Sequence, residues 1–266
     1  MWLACAGCSG EYTLTVPDQL AAAGGEAPVV VRLQKSEIAA LSLPIKDADM
    51  RMQIADSSLR CCYTDKMGYA CAMVPAPRRP DIYEMLVRYM DKNGREVSQT
   101  APVYVWPNES KVVAVDADQL PAGGADLKLA VGAMKKIGES GKVIYLTRSD
   151  MSQVAQMHAR LRGWGYPDGP ILMWQREEII VVPDDTTDLP RLVIETRMVG
   201  QISQLVKMFP HLETGICTSA DDAKAYAQGG LTSVVVGSCD LGGQKAHKIV
   251  RCKGWAELAV KAAVSE

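Results

Sequence analysis

Lys111-Val112-Val113-Ala114-Val115-Asp116-Ala117-Asp118 is an apolar run that stops on two carboxylates two positions apart. A short run rich in β-branched residues and bounded by charge predicts a strand buried on both faces. Such strands build open α/β sheets, whose ligands lie beyond the C-terminal strand ends. Asp116 and Asp118 fall at that end. The pattern recurs downstream. Val143-Ile144-Tyr145-Leu146-Thr147 ends on a hydroxyl, and Gly215-Ile216-Cys217-Thr218-Ser219-Ala220-Asp221-Asp222 ends on an acidic pair. Three strands ending in Asp, Thr and Asp can converge on one metal–phosphate site.

From Asn108 onward, strands alternate with helices. Ala125 to Glu139 has apolar residues at helical spacing. Asp150 is placed to cap a helix from Met151 to Leu161. Val199 to Phe209 reads as a helix stopped by Pro210, and Asp221-Asp222 opens another that closes at Gly229-Gly230. Further strands are expected at Ile171 to Trp174, Ser233 to Gly237 and Lys248 to Cys252, with a last helix from Trp255 to Ala263. This alternation predicts a parallel sheet covered by helices on both faces. Before Pro107 the pattern changes to short alternating strands punctuated by Gly, Pro and Asp, as in Met50-Arg51-Met52-Gln53-Ile54. Six are expected, at Tyr12–Val16, Pro28–Leu33, Met50–Ile54, Tyr69–Val74, Ile82–Tyr89 and Ala101–Trp106. They predict an all-β, immunoglobulin-like sandwich over residues 10–107, followed by an α/β domain over 108–266.

The chain has 266 residues, a hydrophobic fraction of 48% and a net charge of −2. That is enough for two cores, and it leaves no basic footprint for nucleic acid. No stretch approaches the roughly 20 apolar residues of a spanning helix. Leu3-Ala4-Cys5-Ala6-Gly7-Cys8-Ser9 admits two readings. Residues 1–9 are either the remnant of a bacterial lipoprotein signal with Cys8 as the lipidated residue, or a short N-terminus with two thiols. The first implies an extracytoplasmic, membrane-anchored protein, the second a cytoplasmic one. Only Cys5 and Cys8 have CxxC spacing, without a second pair, so a zinc ribbon is not expected. Cys62 and Cys71 flank what reads as a hairpin with its turn near Asp65 to Gly68. They are either disulfide partners or small buried hydrophobes.

Paired aspartates at a strand end suit phosphoryl transfer. One attacks phosphorus, the other handles the leaving-group proton, and Mg²⁺ bound by oxygen ligands offsets the developing charge. Residues 110–262 resemble the haloacid-dehalogenase-like (HAD) superfamily in this respect. The likeness is closest to lipin-type phosphatidate phosphatases and the C-terminal domain of large phosphatidylinositol-transfer proteins. It rests on Tyr145-Leu146-Thr147-Arg148, Tyr166-Pro167-Asp168-Gly169-Pro170-Ile171-Leu172, Val193-Ile194-Glu195, Phe209-Pro210, and Asp222-Ala223-Lys224-Ala225-Tyr226 followed by Gly230-Leu231. The resemblance implies Asp116 as nucleophile, Asp118 as general acid/base, Thr147 as the second-motif hydroxyl, and Arg197 or Lys207 as the third-motif cation. It also implies Mg²⁺ held among Asp116, Asp118, Asp221 and Asp222. The sequence departs from the pattern in two places. Gln119 and Leu120 replace the usual Gly and Thr of the first motif. Thr218 stands where the fourth motif often has an acid or amide.

Each residue also has a structural role open to it. Thr147 can cap the following helix, and Asp221 and Asp222 suit a helix N-terminus. Arg197, Lys207, His158, His211 and His247 suit a solvated surface. Trp164 and Trp174 suit core or rim, and Asp184-Asp185 a solvated loop. Three functions follow as expectations. The first is a Mg²⁺-dependent phosphatase acting on a phosphomonoester such as phosphatidate. The second is a domain that binds phosphate or a phospholipid headgroup without turnover. The third is an envelope scaffold whose sandwich meets a protein partner.

Overall fold

The computed structural model describes residues 11–38, 41–173, 178–182, 191–195, 197–240 and 248–264. Side chains are described for all of these except 37, 38, 41, 178–182, 191–195, 197, 198 and 261–264. Cys5, Cys8, Trp174, Asp184, Asp185 and His247 lie outside the described residues. The chain divides into two compact units, Met1–Pro107 and Asn108–Glu266.

Unit 1 holds strands β1 (Glu11–Thr15), β2 (Gln19–Ala22), β3 (Glu26–Ile38), β4 (Leu41–Pro44), β5 (Asp49–Ile54), β6 (Arg60–Tyr63), β7 (Tyr69–Pro75), β8 (Asp81–Met90) and β9 (Glu96–Trp106). One sheet has the long β3 paired with β1, β4 and β7. The other runs β2-β9-β8-β5-β6. All pairings are antiparallel except β2 with β9. Alternation decides which side faces in. Val29, Val31 and Leu33 of one sheet meet Met50, Met52, Ile54, Met85, Val87, Val103 and Val105 of the other in a shared core.

Strands β2, β4 and β6 add to the six expected. The expected hairpin between Cys62 and Cys71 is not formed, because β6 and β7 belong to different sheets. Their connection is an arch. Asp65 Oδ1 accepts from the backbone of Met67 at 2.8 Å and Tyr69 at 2.9 Å, and Gly68 sits at φ +78°. A Cβ on Gly68 would come within 2.4 Å of the Leu33 carbonyl oxygen, so a side chain is excluded there. No disulfide occurs among the described cysteines. Burial, then the neighbouring Cys71 and Cys61, push the Cys62 thiol up to about 11.

Unit 2 runs β10 (Val112–Asp116), α1 (Gly124–Ser140), β11 (Lys142–Thr147), α2 (Val154–Trp164), β12 (Ile171–Met173), β13 (Glu178–Val182) and β14 (Arg191–Glu195). It continues with α3 (Arg197–Met208), β15 (Leu212–Cys217), α4 (Ala220–Gln228), β16 (Thr232–Val236), β17 (Ile249–Cys252) and α5 (Trp255–Val264). The sheet order is β12-β11-β10-β15-β16-β17, parallel throughout. In chain order that is third, second, first, fourth, fifth, sixth, a doubly wound arrangement. Residues of α1, α2 and α5 share one core with Val115, Tyr145 and Ile216. On the opposite face α3 packs against α4. There the Tyr226 ring lies on Gly215, where a Cβ would sit 2.5 Å from the ring. The antiparallel pair β13–β14 is an insertion outside the strand–helix alternation.

Candidate active site

The strand order reverses between β10 and β15, and a crevice beyond their C-terminal ends is the expected ligand position in such sheets. Asp116 closes β10 and is 3% exposed. Its Oδ1 accepts from the Asp118 amide at 2.9 Å, capping the 3₁₀ turn Ala117–Gln119. Its Oδ2 is buried and has no donor. Burial first, then the adjacent Asp222 carboxylate and Asp118, raise its pKa to about 8. When Asp116 carries a proton, Asp222 is its acceptor. When it does not, the Asp116 and Asp222 carboxylates are close neighbours, with the Arg148 guanidinium on Asp222.

Asp118 has a different set of donors. It accepts from the Thr147 hydroxyl at 2.5 Å, the Arg148 backbone at 2.7 Å and the Ser149 hydroxyl at 3.3 Å. Thr147 is fully buried at the end of β11, so it fixes Asp118 from a rigid element rather than capping a helix through its side chain. The following 3₁₀ turn, Met151–Gln153, is capped by Asp150, whose Oδ1 accepts from Ser152 at 2.9 Å.

Asp222 and Asp221 part company. Asp221 faces solvent, 3.8 Å from Lys224, while Asp222 in the first turn of α4 is fully buried. Asp222 Oδ2 accepts from the Gln119 side-chain amide at 2.9 Å and the Ser219 hydroxyl at 2.5 Å. Its Oδ1 meets the Arg148 guanidinium. Gln119 Oε1 in turn accepts from the Thr218 amide at 2.9 Å and from the Thr218 hydroxyl. Burial, followed by the charges of Asp222 and Asp116, lifts the Cys217 thiol above its ordinary range. Burial, then Asp116, raises the Tyr226 phenol well above its own. Asp116, Asp222, Cys217 and Tyr226 thus share a buried neighbourhood at this end of the sheet.

Strand ends thus bring together Asp116, Asp118, Thr147 and Asp222. Lys207 lies in the last turn of α3, and no hydrogen bond or ion pair joins it to these carboxylates among the described residues. Arg197 begins α3, and its side chain is outside the described set. Sequence reasoning missed Gln119, Arg148 and Ser219 as parts of the site. Their signal was position alone, each lying close in sequence to a strand end that carries an expected site residue.

The fit to Mg²⁺ turns on the bare Oδ2 of Asp116 beside Asp222. Mg²⁺ is commonly held by one or two carboxylates, with water and substrate phosphate completing the shell. Asp116 and Asp222 would supply that pair. No group of three His, Cys, Asp or Glu converges on a point among the described residues.

No known family matches the chain, and no curated protein matches it. Solved structures give low-level likeness. A Photobacterium 2,6-sialyltransferase is 10% identical at a TM-score of 0.23, over 82% of this chain and 41% of that one. A family 39 glycoside hydrolase from Bacteroides cellulosilyticus is 11% identical at 0.27, over 87% and 52%. The sporulation control protein of Bacillus subtilis is 10% identical at 0.23, over 48% and 55%. The chain thus spans about half or less of the length of these structures, and likeness at this level carries no inference about fold or activity.

Proposed function

We propose that unit 2 is a HAD-like phosphoester hydrolase and that unit 1 is an immunoglobulin-like sandwich attached to it. The observation that carries the reading is Asp116, a buried strand-end carboxylate with one oxygen unengaged at the point where the strand order reverses. The Asp116 carboxylate attacks phosphorus in line with the leaving oxygen, giving an aspartyl-phosphate that water then cleaves. Asp118, oriented by Thr147 and Ser149, passes a proton to the leaving oxygen and later takes one from water. Asp116 and Asp222 are the residues that would hold Mg²⁺. When bound, the ion supplies the positive charge that keeps both carboxylates ionised and offsets charge on the phosphoryl oxygens. The substrate class is a phosphomonoester, with lipid phosphates such as phosphatidate the first to try. Placement outside the cytoplasm through a lipidated Cys8 is proposed with it, and metabolic labelling with a fatty acid in a bacterial host tests that part.

The test is phosphate release from a phosphoester panel that includes phosphatidate, in Mg²⁺, for wild type and Asp116→Asn. Release by wild type that is lost in the variant supports hydrolysis. Background release by folded wild type sinks it. A second reading has its own observation, because Gln119 and Arg148 both engage Asp222. On that reading the site binds a phosphate or phospholipid headgroup without turnover. Saturable binding of phosphatidate vesicles with no phosphate release would select it.

A further inference from the structure

We propose that Arg148 is a built-in cation that holds Asp222 while no divalent ion is bound, and that Mg²⁺ and Arg148 exclude each other on that carboxylate. The inference rests on the phosphoester reading of the site and specifies how the site is regulated. Asp222 is fully buried, and both of its oxygens are engaged: Oδ1 by the guanidinium, Oδ2 by Gln119 and Ser219. A buried carboxylate without a counter-charge is strongly destabilising. Arg148 supplies that charge when no ion is present. The Arg148 side chain is nonetheless 49% exposed, on the segment just past β11, so its head can leave while its stem stays at the surface. The second buried carboxylate of the pair, Asp116, has no such cation on its Oδ2.

Mg²⁺ held by Asp116 and Asp222 would bring a second positive charge against Asp222, and the Arg148 guanidinium would be displaced. The freed head carries a planar fork of donors suited to phosphate oxygens. The two positions of the Arg148 head, on Asp222 or free as a phosphate clamp, would therefore link cation binding to phosphoester binding. Binding of cation and binding of phosphoester become coupled, and the coupling is reciprocal.

Isothermal titration of the full chain with Mg²⁺, and then with inorganic phosphate, tests this for wild type, Arg148→Gln and Arg148→Lys. Arg148→Gln is expected to tighten Mg²⁺ about tenfold and to lose the gain in phosphate affinity that Mg²⁺ confers on wild type. Arg148→Lys, which keeps a compact charge, should fall between them. In EDTA the Arg148→Gln protein should melt below wild type and recover more than wild type when Mg²⁺ is added, a readout that does not depend on turnover. Mg²⁺ binding by the variant alone would support the exclusion and overturn the release of Arg148 by Mg²⁺ in wild type. Equal Mg²⁺ affinity in wild type and Arg148→Gln overturns the exclusion and leaves the phosphoester reading standing. No Mg²⁺ binding by any of the three overturns both.

Discussion

Replacing Asp116 by Asn should stabilise the metal-free protein at neutral pH and leave it unchanged in acid. The cause is the raised pKa of Asp116, about 8 in the folded state against an ordinary 3.8. Well below pH 3.8 the carboxyl is protonated whether the chain is folded or not, and folding is insensitive to it. Between pH 4 and 8 the unfolded chain releases the proton while the folded chain keeps it, so stability falls as pH rises. A tenfold difference in proton affinity between the two states corresponds to about 1.4 kcal/mol, which sets a ceiling of about 5 kcal/mol at pH 7.5. Solvent reaches the crevice past exposed Asp118 and half-exposed Arg148, which brings the expected effect to about 3 kcal/mol. For a unit of this size that is a rise of about 6–12 °C in melting temperature. Asn keeps the shape and can still accept from the Asp118 amide. Scanning calorimetry in EDTA at pH 4 and pH 7.5 reads the difference. An Asp116→Asn protein that melts with wild type at pH 7.5, or below it at both values, would refute the reasoning.

Thr147→Val removes the buried hydroxyl that donates to Asp118 at 2.5 Å. Phosphate release should fall about 100-fold, with circular dichroism unchanged. Gly215→Ala drives a methyl to 2.5 Å from the buried Tyr226 ring. Urea unfolding should show a loss of about 3 kcal/mol from overpacking. In unit 1, Thr64→Val leaves the Ala48 amide, now bonded to Thr64 Oγ1 at 2.8 Å, without an acceptor. The cost expected in a urea melt is about 1–3 kcal/mol.

What could be read from the sequence depended on how strongly burial marks a segment. Parallel strands buried on both faces are uninterrupted apolar runs, so β10, β11 and β15 and the polar residues at their ends stood out. The alternating strands β5 and β8 declare their inner face in the same way. β6 does not, because Arg60 to Tyr63 is an edge strand with little burial, held by backbone pairing to β5. β2 is short, and Gln19-Leu20-Ala21-Ala22 carries no β-branched residue. Sheet membership was also hidden. A chain that arches between sheets has the same turn chemistry as a hairpin, so Cys62 and Cys71 gave no sign of lying in different sheets. At the site, the residue types at strand ends were readable, but the direction of each side chain was not. Asp221 and Asp222 are chemically identical neighbours, and only the helical phase of α4 turns one outward and the other in.

On the proposed HAD-like reading, Gln119 is a departure from the motif that carries its own compensation. The resemblance places Gly at 119 and an acid or amide at 218. This chain has the amide at 119 and a hydroxyl at 218. In the folded protein the Gln119 amide spans the gap, donating to Asp222 and accepting from both the amide and the hydroxyl of Thr218. On that proposed reading, the polar group expected from the fourth motif beside Asp222 is delivered from the turn after β10. If so, the two positions form one unit. Gln119→Gly alone strips Asp222 of one donor and Thr218 of two acceptor contacts, a loss of about 3 kcal/mol at roughly 1 kcal/mol per hydrogen bond. Thr218→Asn alone places two amides against one carboxylate oxygen and should also destabilise. Together they should recover much of the loss, with a coupling of about 1–3 kcal/mol in a double-mutant cycle read by urea unfolding. Additive losses would mean that Gln119 fills space at the strand end and that its hydrogen bonds to Asp222 and Thr218 do not organise the site.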